Sequence, residues 1–468
     1  MRVVCCWAVC LVSSFVAIPA ATGSDEMGAG VAVIDITPPI PFRLAGYFNE
    51  RLSTATKDPL HAKAIVFQQG NESAALVFCD LVGISRSVSL AAREKASKAT
   101  GIPVEHIVVT ATHSHTAPLF YSALHDYLHE REIAKHGNDR YDSTAYRAEL
   151  ADKIASAIVQ AKSAQEPVEL KSGYAHENRV SFNRRYYMKD GSLRFNPPIQ
   201  DPNIVRPAGP IDPQVGIVSL TKPGAKEPKA AIISFAMHLD TTGGTLYSAD
   251  YPKSFEDRLK LAVGKDFTLL FATGTCGDIN HRDVSTPKQR TAEMLGEMLG
   301  ETVAKTIAGG ELTTIGKPSL ATRSVKLKVP LQSYSELEIA GAKKNMTRID
   351  SRGLSFMDAV EANKILDTQL LRDQENNSSL EVQAFRLDQN TAIVSLPSEI
   401  FVELGLKIKA ASPFKTTLVI ELANDDLCYI PTLKAFGEGS YEVTNSCVQP
   451  GTGEKLVEAA TTLLKQLK

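Results

Sequence analysis

The sequence predicts an α/β protein, mixed β-sheets flanked by helices, and three observations carry that reading. Short β-branched runs of strand length alternate with helix-period segments, which is the grammar of βαβ units. Several of those runs stop abruptly at polar residues, and in open α/β sheets ligands gather at the carboxyl ends of strands. At 468 residues and 43% hydrophobic content, the chain can build two packed lobes or one large α/β unit.

The elements follow in order. Residues 30–37 (GVAVIDIT) form a strand stopped by Pro38 and Pro39, which cannot extend a ladder. Residues 62–70 and 73–83 read as paired strands around the turn at Gly70-Asn71. An amphipathic helix over 87–100 is closed by Gly101. The buried strand 106–112 runs directly into His113-Ser114-His115. A polar stretch from Phe120 to Asp142 then interrupts the pattern and reads as a charged loop, carrying His125, Asp126, His129, Glu130, Arg131 and Lys135. A helix over 146–164, strands over 216–220, 230–238 and 267–274, and a helix over 291–307 come next. Past Gly316 the character changes, so a soft lobe boundary falls near 310–320. An alternating strand at 324–331 precedes two helical segments, SELEIAGAKKN and MDAVEANKILDTQLLRD. Residues 380–400 read as a hairpin about Asp388-Gln389-Asn390, and a helix from Glu454 ends the chain. There is no internal repeat of solenoid period.

Charge is balanced, 51 basic against 53 acidic side chains for a net −2, which gives no basic surface for nucleic acid or an anionic membrane. Residues 1–23 have the make-up of a secretory signal peptide: Arg2, an apolar core from Val3 to Ile18, and small residues from Ala20. That core falls short of the roughly 20 residues a membrane span needs. The expected mature chain, 24–468, is therefore secreted or periplasmic, with no transmembrane segment. Cys79, Cys276, Cys428 and Cys447 remain in it. Their pairing is open between three disulfide patterns, of which Cys428 with Cys447 is the most local, and a reduced, buried state.

His113 and His115 sit two apart on extended backbone, so both imidazoles face one side and can reach one ion or reacting group. His238 also ends an apolar strand, before the turn residues Asp240 to Gly244. Glu399, after IVSLPS, and Tyr429, after Asp425-Asp426, occupy the same kind of position. Catalytic zinc draws three or four N/O ligands from separate elements in this way and keeps a position open.

The motifs ITPP (36–39), CDLVGIS (79–85), TATHSHTAP (110–118), FNRR (182–185) and FAMHLD (235–240) stand in an order that resembles neutral, non-lysosomal ceramidases. So do GTCGDIN (274–280), LPSEIF (396–401), ANDDLCYIPT (423–432) and SYEV (440–443). The resemblance spans roughly residues 30–445 and implies a Zn2+-dependent amidase that cuts the N-acyl bond of a lipid-like substrate. It implies His113, His238, Glu399 and Tyr429 as the metal ligands, and His115 beside the metal-activated water. Arg184 and Tyr441 match residues that polarise the amide carbonyl or hold the oxyanion, and Asp278 belongs to the same catalytic motif.

The departures are as informative. Where the family has Gly-Asp-Val-Ser-Pro-Asn, this chain has Gly277-Asp278-Ile279-Asn280-His281-Arg282, so Asn280 replaces the family's serine. An amide cannot accept an acyl group, so the expected role of Asn280 is to orient substrate or donate to an oxyanion. About 25 residues follow the last motif, which leaves no room for the family's C-terminal immunoglobulin-like domain. The charged stretch after His115 favours a short-chain or sugar-bearing amide over long-chain ceramide, because charges are costly to bury against hydrocarbon. A polar, carbohydrate-derived substrate and a catalytically silent binding protein are the alternative readings.

Overall fold

Three sheets meet on one shared core, and each is finished at an edge by a parallel strand pair. The computed structural model describes residues 26–351, 353–373 and 379–468; the proposed signal peptide lies outside them. In the first sheet, Ile107–Ala111, Glu72–Cys79, His61–Gln69 and Gly28–Asp35 lie side by side in that order. The hairpin between His61–Gln69 and Glu72–Cys79 pairs Ala62 with Cys79, and Gly70 turns it with a φ of 55° that costs glycine nothing. Ile107–Ala111 is buried on both faces and runs parallel to Glu72–Cys79, which explains its unbroken apolar composition. Helices Arg86–Thr100 and Thr144–Ser163 cover this sheet.

The second sheet orders Thr268–Thr273, Ala230–Phe235, Gln214–Thr221 and Glu169–His176, with helices Tyr251–Val263 and Ala292–Ala308 packed on it. The third orders Ala321–Lys328, Ser379–Arg386, Thr391–Ser395 and Thr416–Ile420, covered by Val402–Ala411 and Thr452–Leu467. Phe67, Leu76, Val218, Ile232, Phe385 and Leu418 draw all three sheets into one apolar cluster, which thus contains residues from both sides of 310–320. The mixed α/β class read from the sequence is the class observed. Among the described residues, no helix is long and apolar enough to cross a membrane.

One element corrects the sequence reading. The charged stretch after His115 is a helix, Ala123–His136, with Ser122 accepting from the His125 backbone N–H and Gly137 closing it at φ 81°. Its apolar side is thin, only Ala123, Leu124 and Leu128, so the helical period is hidden among charges. Those charges face partners within the protein. His125 bonds Asp126 and Ser143, His129 bonds Asp139, and Arg131 pairs with Glu50 and Asp350. The buried Arg43 completes the network through Asp139 (2.7 Å) and Glu50 (3.0 Å). All four cysteines of the described residues are free thiols, so no pairing, Cys428–Cys447 included, is formed.

Candidate metal centre

The parallel edges deliver their last residues to one place. Past Ile107–Ala111 the chain turns at His113, which has a φ of 77°, and places His113 and His115 at the end of the first sheet. Ala230–Phe235 stops three residues short of His238, whose N–H bonds Ile279 O at 3.2 Å. Glu399 and Tyr429 pair with each other in a two-residue parallel bridge beyond the third sheet.

Hydrogen bonding fixes the tautomers. His113 Nδ1 donates to Val82 O (2.6 Å) and His238 Nδ1 to Cys276 O (3.0 Å), so each Nε2 presents a lone pair inward. The two Nε2 atoms lie 3.1 Å apart, and Glu399 Oε2 lies 3.2 Å from one and 3.1 Å from the other. Tyr429 OH stands 3.3 Å from His238 Nε2, and His115 Nε2 stands 3.3 Å from His113 Nε2. All of these groups are buried or nearly so, and Glu399 Oε2 has no hydrogen-bond partner of its own. Lone pairs forced together without a proton between them repel unless a cation joins them. Burial disfavours charge on these histidines, yet Glu399 lifts His113 to about 9, while burial with the Arg184 and His113 charges pushes His238 to about 3. Glu399 is held well below the carboxylate range despite its burial, chiefly by His113. The centre thus calls for one positive charge in its middle. His113, His115 and His238 can hold a metal ion, and Glu399 and Tyr429 stand where they can complete its ligands.

Arg184 lies alongside. Its Nε donates to Glu442 Oε1 (2.9 Å) and its Nη2 to Gly277 O (2.7 Å), while the guanidinium sits 5.3 Å from the Tyr429 ring centre and 5.6 Å from that of Tyr441. Tyr441 accepts from Asn445 and faces Tyr429 at 5.5 Å between ring centres. Phe195, Phe356 and Phe48 continue this wall outward, with Phe356 half exposed.

Asp278 and Asn280, expected as catalytic residues, are both tied to neighbouring backbone and side chains. Asp278 spends its oxygens on Asn183 Nδ2 (2.7 Å) and Val402 N (2.9 Å), and burial raises its carboxyl to about 6. Asn280 donates to Asn196 Oδ1 (2.9 Å) and accepts from Arg282 N (3.0 Å), so both ends of its amide close a loop beside Arg184.

Other residues escaped the sequence reading. Glu421, fully buried, accepts from Cys276 N (3.2 Å), Cys276 Sγ (3.1 Å) and Ile400 N (2.7 Å), bracing the residues that hold His238 and Glu399. Glu442 binds both Arg184 and Arg185. Asp240 accepts from Tyr47 OH (2.6 Å) and lies 3.6 Å from the unpartnered His115 Nδ1. The only advance signal was that Glu421, like the ligands, follows a β-branched strand.

No protein-family model and no curated protein matches the chain. Solved structures do match. Neutral ceramidase from Pseudomonas aeruginosa is similar at a TM-score of 0.70 and 18% identity, over 94% of this chain and 75% of that one. A ceramidase complexed with C2 is similar at a TM-score of 0.71, with the same identity and coverage. The arrangement of three sheets around this centre is therefore the fold of neutral ceramidase.

Proposed function

We propose that the chain is an exported zinc-dependent hydrolase of an N-acyl amide bond. The observation that carries the reading is the convergence of His113, His238 and Glu399 lone-pair atoms at 3.1–3.2 Å from one another. Tetrahedral zinc with bonds of about 2.0–2.1 Å sets its ligands roughly 3.3–3.4 Å apart, close to those spacings. His113, His238, Glu399 and Tyr429 would hold it, and the chemistry it supplies is Lewis acidity and activation of a water.

The rest falls to the chain. His115 is at the rim, its ring centre 5.8 Å from His238 against 4.4 Å for His113, and burial keeps it down at about 4. It is neutral at physiological pH and would take the proton released as the water is activated, passing it to the leaving amine. Arg184 and Tyr441, which flank the Tyr429 ring, would donate to the carbonyl oxygen, where negative charge develops. Asn280 and Asp278 act by position, holding the 274–282 loop against Asn196, Asn183 and Val402. No acyl-accepting side chain is needed on that loop.

The aromatic wall of Phe48, Phe195, Phe356 and Tyr441 supports an apolar acyl group. The charged helix gives no support to a sugar-bearing substrate, since His129 and Arg131 are held by Asp139, Glu50 and Asp350 of the protein itself. Purified protein should carry about one zinc per chain, measured by elemental analysis, and His113→Ala or His238→Ala should lose it. Full occupancy in both variants would remove the proposed ligand set.

A further inference from the structure

Away from the metal centre, one lysine is buried in an unusual setting. Lys364, in the middle of helix Phe356–Asp373, is 1% exposed. Its Nζ donates to Cys447 Sγ at 3.3 Å, and Thr368 Oγ1 donates to the same sulfur at 3.3 Å. Cys428 is a second sulfur acceptor for the amine. The bridge between Cys428 and Ser446 brings that thiol beside Cys447. Asp367, the nearby carboxylate, has turned one oxygen to Ala123 N at 2.6 Å.

Sulfur is a weak acceptor, and a buried lysine head normally takes a carboxylate partner. A nitrogen and a sulfur held in contact, without water between them, instead have the geometry of a pair one atom away from a covalent link. We propose that Lys364 and Cys447 are an oxidative modification site, at which dioxygen joins them through a single oxygen as an N–O–S bridge. In that step the O–O bond breaks. One oxygen forms bonds to Nζ and Sγ, and the other leaves as water with one hydrogen from the amine and one from the thiol. Nitrogen and sulfur each give up two electrons, and dioxygen takes all four. A 3.3 Å contact admits the bridging oxygen after a sub-ångström approach, which Thr368 directs by fixing the sulfur. Sulfur at this oxidation level is the first, reversible rung of cysteine oxidation, so a thiol reductant reopens the link.

The bridge has a structural reach. It ties helix Phe356–Asp373 to the 428–447 segment, and Val360 of that helix packs on Tyr429 and Tyr441. Oxidation therefore pins the wall of the centre, whatever substrate the centre takes.

Mass spectrometry of the wild-type chain, prepared with and without air, tests this. The expected result is an aerobic species about 14 Da heavier, mapped to a cross-linked peptide pair holding Lys364 and Cys447 and erased by dithiothreitol. Lys364→Arg and Cys447→Ser should abolish it, and Cys428→Ser should keep it. A Cys428–Cys447 disulfide, an oxygen confined to one cysteine peptide, or no aerobic mass change would each overturn the proposal. The wild-type comparison decides the matter even if a variant at the buried lysine fails to fold.

Discussion

At the residue scale, the centre is built from side chains whose second atoms are already spoken for. His113 and His238 each tie Nδ1 to a backbone carbonyl, which is what aims Nε2. Glu421 holds the loop that supplies one of those carbonyls, together with the residue after Glu399. Burial pushes the Glu421 carboxyl well above the usual carboxylate range, so Glu421→Gln is a near isostere, whereas Glu421→Ala removes both acceptors and opens the brace. Metal affinity should fall about 10–100-fold, read by competition with a chromophoric chelator. An unchanged affinity would mean the brace is dispensable. Asp278 gives a prediction in pH. Burial raises its folded pKa to about 6 from 3.8, so below pH 4 both states are protonated and no penalty applies. Between 4 and 6 the unfolded chain ionises while the folded one resists, so this group lowers stability as pH rises, by about 3 kcal/mol in all. Asp278→Asn has no such slope. Its stability deficit against the wild type should therefore narrow from pH 4 to pH 6 in denaturant titrations, and a constant deficit would refute the assignment.

At the element scale, helices Ala123–His136 and Phe356–Asp373 bear on the proposed acyl site. The first packs Leu124 and Leu128 into the cluster that also holds Met346 and Ala359, and keeps its charges in ion pairs. The second starts with Phe356, which stacks between Phe48, Phe195 and Tyr441. An apolar wall gains about 0.8 kcal/mol for each methylene it buries. We therefore expect kcat/KM to rise along an N-acyl series as the chain lengthens, and Phe356→Ser to flatten the rise while leaving metal content unchanged. A flat profile in the wild type would place the acyl group elsewhere. This reverses the preference that the charged stretch suggested in the sequence, and the reason is physical. Composition reports that His125, His129 and Arg131 are charged or polar, but not that Ser143 and Asp139 just past the helix, and Asp350 from a distant segment, meet them. Strands such as 62–70, 73–83 and 106–112 were legible because burial on both faces demands unbroken apolar runs. Helix Tyr251–Val263 was missed although Tyr251, Phe255, Leu259 and Val263 recur every four residues, and the ten-residue Val402–Ala411 carries a weaker period. His113, His115 and His238 stood out because each follows an apolar strand run, whereas Glu399 and Tyr429, after IVSLPS and the acidic turn Asp425-Asp426, were joined to them by the ordered motifs. Glu421 and Glu442 were hidden because their role is fixed only by what packs against them.

At the scale of the whole molecule, the centre is a product of the fold rather than its cause. His113 and His115 come from the first sheet, His238 from the second, and Glu399 and Tyr429 from the chain around the third. What brings those sheets together is the shared apolar cluster running from Met27 to Ala423, which includes none of the proposed ligands. In small zinc domains binding free energy is folding free energy, and removing metal unfolds them. Here the apolar cluster stands without it. The proposed metal would then contribute only a linkage term that grows with the logarithm of its concentration over its dissociation constant. For a chain of this length each kcal/mol moves the melting temperature by only about 2–4 °C or less. A strong chelator should therefore abolish amide hydrolysis while leaving the far-ultraviolet circular dichroism spectrum intact and lowering Tm by several degrees. Activity should return on adding zinc back. Cooperative unfolding on chelation at 25 °C would show instead that the repulsion among the inward lone pairs outweighs the core, and that the three sheets depend on the ion.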